Sequence, residues 1–492
     1  MVAAKPMNDT AVHQLAIRRN LNEKTKTNFR LLVALTVLHL PLGLFDYYAT
    51  SAAILHPAAV FGLGMYWALQ RKIRLERVAL VVGYFMGVEV LWRMAQVPIF
   101  WEFGKYGSVV IMIVALLRRG QKKIPTVALV YFAALLPACV LTFVQFDLSA
   151  AKDTLSFNLS GPFFLLISCW FFSHIKVDPQ QLRRLFEAFI VPLLSVAFVT
   201  LFFTVAVKDI QFTDESNFAT SGGYGPNQVS AMLGLGVFLT VFSLISLRND
   251  SKYKLFFAVA AVFFAIQSIM TFSRGGIYNA AGALMLVALF EFGDPLTATK
   301  RLIPIAAVIV LFFIFVFPFL NNFTGGNLQL RFEDTQTTHR AEIVESDIDI
   351  FLEHPVLGVG VGAAYSERQE FLGFKAASHT EFSRLISEHG LFGLVAICCM
   401  LAMVGVNFKR SRSRVGRAFV LGAAAWAVLF MLNTGMRLAA PAAVFGMIFI
   451  TIGAPRRQRN IRALRKARVD QNPAKAPVWN VIGPLEGPIC LD

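Results

Sequence analysis

Residues 188–207 read AFIVPLLSVAFVTLFFTVAV, twenty residues without a charge, closed by Lys208. A helix rises 1.5 Å per residue, so such a run is about 30 Å long, the thickness of a bilayer's hydrocarbon core. A membrane β-strand needs only about 10 residues and alternates apolar with polar ones. This run does neither. Similar runs recur along the 492 residues, of which 56% are hydrophobic and 15% charged. A soluble domain is about 25% charged. The composition therefore excludes a soluble enzyme, a disordered chain and a disulfide scaffold. The 47 Phe suit segments that face lipid. The class that remains is an all-α, polytopic membrane protein.

Outward from that run, fourteen candidate spans follow: 31–49, 51–69, 78–97, 104–117, 125–146, 156–175, 187–207, 226–246, 253–271, 275–292, 302–320, 391–408, 417–436 and 439–454. Twelve is the alternative count. Basic residues mark the cytoplasmic side of such spans. With both termini inside, 35 of the 46 Lys and Arg fall on inner segments, 10 on outer ones, and Arg93 within a span. The net charge of +16 is thus a topology signal and not one for nucleic acid. The basic stretch from Arg456 to Arg468 is placed to meet anionic lipid heads. The expected organisation is a cytoplasmic segment 1–30, a membrane domain 31–454 and a basic, disordered cytoplasmic tail 455–492. The first 30 residues are polar and basic, and no small-residue cleavage site follows, so no cleavable signal is expected. Cys139, Cys169, Cys398, Cys399 and Cys490 avoid the outer polar loops, so no structural disulfide is expected.

Two outer segments interrupt the short loops. Residues 321–390 form one large outer segment, and long ordered loops are usually functional. Residues 208–225 are polar and run into Gly225-Pro226-Asn227-Gln228. Basic residues are scarce on this side, so each needs a reason. Arg274 stands in Thr271-Phe272-Ser273-Arg274-Gly275-Gly276, a tight turn. The glycines would let a ligand approach the backbone closely. The guanidinium offers a fork of donors to phosphate oxygens. A snorkelling Arg at a helix end is the equal alternative. Arg340 lies in 339–353, a stretch with the pattern of an amphipathic helix on the outer surface. Pro355-Val356-Leu357-Gly358-Val359-Gly360-Val361-Gly362 lacks a surrounding strand–helix unit. It reads as a turn back to the membrane, not as a nucleotide motif.

In Ser378-His379-Thr380-Glu381-Phe382-Ser383-Arg384-Leu385-Ile386-Ser387-Glu388, the apolar Phe382, Leu385 and Ile386 recur at helical spacing. They predict a short helix lying on the membrane with His379 near its start. Imidazole is the usual general base, although a lone loop His is more often incidental. Glu388 is placed to orient a neighbour or to cap the next span. Arg437 is a further outer Arg. Glu89 and Arg93, four apart within one span, read as a structural ion pair. No Cys/His cluster or paired acids suggest a metal, and no metal or cofactor is expected.

Taken together, Ser273-Arg274-Gly275-Gly276, the Arg340…Pro355…Gly358-Val359-Gly360 stretch and His379-Thr380-Glu381-Phe382…Glu388-His389-Gly390-Leu391-Phe392-Gly393 resemble the O-antigen ligase and polymerase superfamily. Gly225-Pro226-Asn227-Gln228 is similar to a weaker element of that family. The likeness covers roughly 220–450. It implies a bacterial inner-membrane glycosyltransferase with one large periplasmic loop. The implied donor is an oligosaccharide on undecaprenyl pyrophosphate, and the implied acceptor is a glycan or lipid A core. Other polysaccharide assembly proteins are implied as partners. By motif, Arg274 and Arg340 would hold the pyrophosphate and His379 would act on the acceptor hydroxyl. Arg437, Glu388 and Asn227 are further substrate-binding candidates. Ile343 and Val344 stand where many relatives carry an aromatic. Three functions compete: a surface-polysaccharide polymerase, favoured here; a ligase acting on lipid A core or protein; and a transporter or flippase. The last would place its site at midplane, often between repeated halves, and no repeat is visible.

Overall fold

A computed structural model describes residues 9–453 apart from 73, 208–209, 214, 248–249, 292–302, 304–305, 308 and 335–338; for 9–26 the backbone alone is described. The chain is helical almost throughout. Among the described residues two strands, β1 (Lys176–Val177) and β2 (Thr451–Ile452), form one short parallel pair. Among the described residues nine helices are long and apolar enough to cross a membrane, ten if the bent pair Ile309–Phe323 and Asn327–Glu333 counts as one span. The fold is an all-α, multi-pass membrane protein.

The difference from fourteen has a physical basis, because every one of the fourteen segments contains a helix. Two of the others, Gly275–Glu291 and Ala440–Phe449, are short. Phe103–Arg118 has only 16 residues. Leu75–Met94 carries Glu76, Arg77, Glu89 and Arg93. The span 302–320 begins among residues outside those described and ends at a 112° break. Apolar length counts what a helix would do alone. A helix sheltered by others can be shorter or charged.

The helices are numbered α1 (Asp9–Tyr48), α2 (Leu55–Leu69), α3 (Leu75–Met94), α4 (Phe103–Arg118), α5 (Thr126–Ala134), α6 (Ala138–Gln145), α7 (Leu148–Ser173) and α8 (Pro179–Ala206). Next come α9 (Pro226–Ser246), α10 (Ser251–Met270) and α11 (Gly275–Glu291). The helix α1 runs from Asp9 through the rest of the expected N-terminal segment and the first span without a break, so the two are one helix from Asp9 on. The tail from 454 lies outside the described residues.

The α9, α10 and α11 group positions the Arg274 turn. The second of the two glycines after Arg274 is needed for helix packing. A Cβ added at Gly276 would stand 2.0 Å from the Ser230 carbonyl oxygen, and one at Gly234 would stand 2.2 Å from the Gly276 oxygen. Two helix backbones meet there, as small residues allow in membranes. Gly275 has only Ser273 Oγ nearby, at 3.8 Å. Gly276→Ala is therefore expected to destabilise the protein by about 1–3 kcal/mol through overpacking, and Gly275→Ala to leave stability unchanged. Thermal unfolding in detergent separates them. Equal unfolding midpoints would refute the packing role.

Candidate functional site

The turn between α10 and α11 carries Arg274 and is held from several sides. Phe272 adopts a left-handed φ of 58°, which is rare outside glycine. Its ring stacks on Phe212 with centroids 5.4 Å apart. Its carbonyl accepts from Arg331 Nε at 2.9 Å. Ser273 Oγ donates to Asn227 Oδ1 at 2.7 Å, and Ser230 Oγ donates to the Ser273 carbonyl at 2.8 Å. The Arg274 guanidinium donates to the Asp334 carbonyl. Arg331 and Asp334 flank the C-terminal end of the helix Asn327–Glu333, beyond the sharp bend. Arg274 is thus an ordered, half-buried side chain and not one that snorkels freely.

The outer segment folds into three further helices. They are α12 (Arg340–Glu353), α13 (Ala364–Leu372) and α14 (Glu381–His389). Ile343, Ser346, Asp347 and Ile350 are the buried face of α12, at the spacing of one helix side. At its centre Asp347, fully buried, receives Arg368 Nε at 3.0 Å and Nη2 at 2.5 Å. The second oxygen of Asp347 accepts from Ser383 Oγ at 2.6 Å and Ser378 Oγ at 3.3 Å. Arg368 Nη1 donates to the Ala376 carbonyl at 2.8 Å. One buried charge pair therefore fixes the 376–380 strap that carries His379. Removing one partner of such a pair costs about 3–5 kcal/mol. Asp347→Asn is expected to raise proteolytic nicking of 354–380 on the order of a hundredfold. An unchanged nicking rate would show that the pair does not hold the strap.

The glycine-rich stretch packs against the end of α14. Val359 N–H donates to the Ser387 carbonyl at 3.0 Å and Gly360 N–H to the Glu388 carbonyl at 3.1 Å. Gly358, Gly360 and Gly362 all have positive φ. This is a backbone turn returning to the bundle, as its sequence suggested.

A third element brings Arg437. It follows α15 (Leu391–Arg410) and α16 (Arg414–Thr434), in the turn before α17 (Ala440–Gly446). Arg437 Nη2 donates to the Ser378 carbonyl at 3.3 Å, one residue from His379. The turn itself is gripped by two carboxylates. Glu89 accepts from Ala439 N–H at 2.8 Å, and Glu381 accepts from Met436 N–H at 3.1 Å. Arg93 binds Glu89 at 2.7 Å and the Arg437 carbonyl at 3.3 Å, with its guanidinium 4.5 Å from the Trp101 ring centre. The intramembrane Glu89–Arg93 pair is thus a backbone clamp under the Arg437 turn.

The electrostatics bind these pieces together. Burial lowers the pKa of Arg340, and the cations Arg331, Arg274 and Arg437 lower it further. His379 is pushed down to about 4, first by burial and then by Arg340, Arg437 and Arg368. No carboxylate forms an ion pair with Arg274, Arg340 or Arg437 among the described residues. Arg340 is therefore within electrostatic reach of Arg274, Arg331 and Arg437, and His379 within reach of Arg340 and Arg437. Such a cluster wants an anion with several negative oxygens.

Residues 259–398 match the family described as O-antigen ligase. Over that stretch the chain is similar to that family. No curated protein matches the chain. The matched stretch encloses Arg274, Arg340, His379 and Glu388, while Asn227 at the start of α9 and Arg437 in the turn before α17 lie outside it. Its match supports the O-antigen ligase and polymerase superfamily suggested by the motifs.

Several expected residues take other positions. Glu388 is 3% exposed and binds Arg384 at 2.8 Å. Arg384 lies between Glu381 and Glu388, so this acid orients a neighbour and does not face the arginine cluster. Asn227 supports the Arg274 turn through Ser273. The helix α14 does not lie on the membrane surface. Glu381, Ser383, Ser387 and Glu388 are all buried, because Asp347 and Arg384 satisfy that polar face from within. Lys105, on the outer side by sequence, is 2% exposed and paired with Glu102 at 2.6 Å. Sequence reading missed Arg331, Asp334, Asp347 and Arg368 as organisers. Their partners lie 21 or about 60 residues away, so no local spacing announces them. Cys139, Cys169, Cys398 and Cys399 are free thiols, and Cys490 lies outside the described residues.

Proposed function

We propose that this protein is an inner-membrane glycosyltransferase that extends a surface polysaccharide from an undecaprenyl-pyrophosphate donor at the periplasmic face. The supporting observation is that Arg274, Arg340 and Arg437 form no ion pair with a carboxylate among the described residues, and that Arg340 and Arg437 act on an unprotonated His379. In this reading the acceptor hydroxyl oxygen bonds to the anomeric carbon of the donor sugar. The carbon–oxygen bond to pyrophosphate breaks, and its electrons leave with the pyrophosphate. The hydroxyl proton passes to His379 and on to solvent. Arginine donors aimed at the leaving oxygens stabilise the charge as it develops, most strongly where water is scarce.

A ligase that moves a finished glycan to lipid A core or protein uses the same chemistry, and the description of the matched family favours it as the second reading. Gene deletion separates the two. Accumulated single repeat units support the polymerase. Finished polymer left on its lipid carrier supports the ligase. Intact surface glycan removes both. A transporter is disfavoured because its best coupling pair, Glu89–Arg93, is committed to backbone at the Arg437 turn. The buried chain Asp46–His56–Tyr84–His39 likewise ends on the Leu35 carbonyl, one turn back on its own helix.

The orientation is proposed from the charge bias, with both termini cytoplasmic and 321–390 periplasmic. Reporter fusions at about residue 330 and residue 470 are expected to give opposite readouts. Identical readouts would remove the periplasmic site.

A further inference from the structure

The face opposite the arginine cluster holds a second concentration of positive charge, and this one is concave. A cavity of about 440 Å³ is lined by Arg74, Glu76, Arg119, His174, Lys176 and Gln181, with Leu75 and Gln121 completing it. These residues come from four helix ends: the start of α3, the end of α4, the end of α7 and the start of α8. A smaller neighbouring cavity, about 180 Å³, shares Arg74, Glu76 and Gln181 and adds Arg77 and Arg184. Glu76 is the only acid lining either cavity. Arg74, Arg119 and Lys176 make no ion pair among the described residues.

The place is distinct from the arginine cluster. Arg74 and Arg93 stand at opposite ends of α3, 19 residues apart, which is about 28 Å at a helical rise. That is close to the thickness of a hydrocarbon core. The cavity and the Arg437 turn therefore lie at opposite ends of α3. Leu69 and Leu117, at the ends of α2 and α4, are 51% and 63% exposed, and Arg118 ties their helices by donating to the Leu69 carbonyl at 3.1 Å. The rim is also ordered. His174 Nε2 donates to the Lys123 carbonyl at 3.0 Å, and β1 and β2 pair beside it. Positive-inside bias accounts for basic residues at this level. It does not account for three cations from separate elements, Arg74, Arg119 and Lys176, lining one cavity with a single acid.

We infer that this cavity binds a phosphate-bearing anion with at least two negative charges, presented as the headgroup of a lipid in that leaflet. Basic cavities between helix ends take such headgroups. The apolar residues below offer a surface to the chains. A soluble phosphate compound has the same chemistry, so the test separates the two sources.

Full-length protein in a neutral detergent is titrated with cardiolipin, which carries two phosphates on one lipid, and separately with inorganic pyrophosphate. Binding is read by thermal unfolding. Saturable stabilisation by cardiolipin is expected. The Arg74→Gln/Arg119→Gln protein should need about thirtyfold more lipid, because each cation near such a headgroup contributes about fivefold. Arg119→Lys should keep most of the response, and Lys152→Gln, an exposed cation at the opposite end of α7 from His174, should leave it unchanged. Both arginines at the cavity are exposed, so the double variant is expected to fold, which its unfolding midpoint without lipid checks. Equal cardiolipin affinity in wild type and double variant overturns the site. A response to pyrophosphate alone that the double variant loses overturns the lipid assignment in favour of a soluble ligand. None of these outcomes bears on glycan transfer at the arginine cluster, which is measured separately.

Discussion

His379→Ala is expected to lower glycan transfer by about 10²–10⁴-fold, the range a positioned general base contributes. Insertion and unfolding should be unchanged, because the strap around His379 is held by Asp347, Arg368 and Ser383, not by the imidazole. The lipid-linked donor should still bind, since the arginines remain. The pH profile adds a second reading. With a pKa of about 4, His379 is neutral and able to accept a proton throughout the physiological range. The acid limb of kcat/KM, which reports the free enzyme, should therefore fall near pH 4 and not near the 6.5 of an ordinary imidazole. The limb of kcat should lie higher, because bound pyrophosphate offsets the arginine field that depresses the group. Near-normal transfer by the Ala variant would remove His379 from the mechanism. Loss of donor binding together with turnover would make it a phosphate contact.

Arg274→Lys is the second large effect. Lys keeps the charge but loses the planar fork. It also loses the reach that lets Arg274 contact the Asp334 carbonyl while presenting other donors. Removal of one preorganised donor from an oxyanion site costs about 10²–10³-fold in turnover. A point-charge replacement should recover part of that, for an expected loss of about ten- to a hundredfold. Turnover with lipid-linked donor measures it. Transfer at the wild-type rate would return Arg274 to the role of a simple helix-end cation. The test is specific because Phe272, Ser273 and Asn227 fix the turn without the guanidinium.

The residues differ in how legible they were. Arg274 and Arg340 stood out because cations are rare on the outer side of membrane spans, so each one present signals a role. His379 stood out by its place before a helical pattern. The helix α12 was also readable, since 339–353 has an amphipathic pattern, but not that Asp347 on its buried face would meet Arg368. Glu388 was readable as a residue that orients a neighbour, and that neighbour is Arg384, four residues back on its own helix; the same polarity also marks a binding residue. The tail and the start of span 302–320 fall outside the described residues.

By itself the sequence determined the membrane class, the helical spans near 20 residues and the side on which basic residues collect. These follow from local quantities: apolar length, charge cost in hydrocarbon and the bias of Lys and Arg. Tertiary structure alone decided which spans need not be long or uncharged, since α3 keeps Glu89 and Arg93 only by clamping the Arg437 turn. It also decided that Gly276 serves a helix crossing and that Asp347 reaches Arg368 to hold the His379 strap. It decided, too, which of the outer cations form no ion pair among the described residues. Those outcomes depend on pairs distant in sequence, and a charge acquires its meaning only when its partner, or the lack of one, is brought beside it.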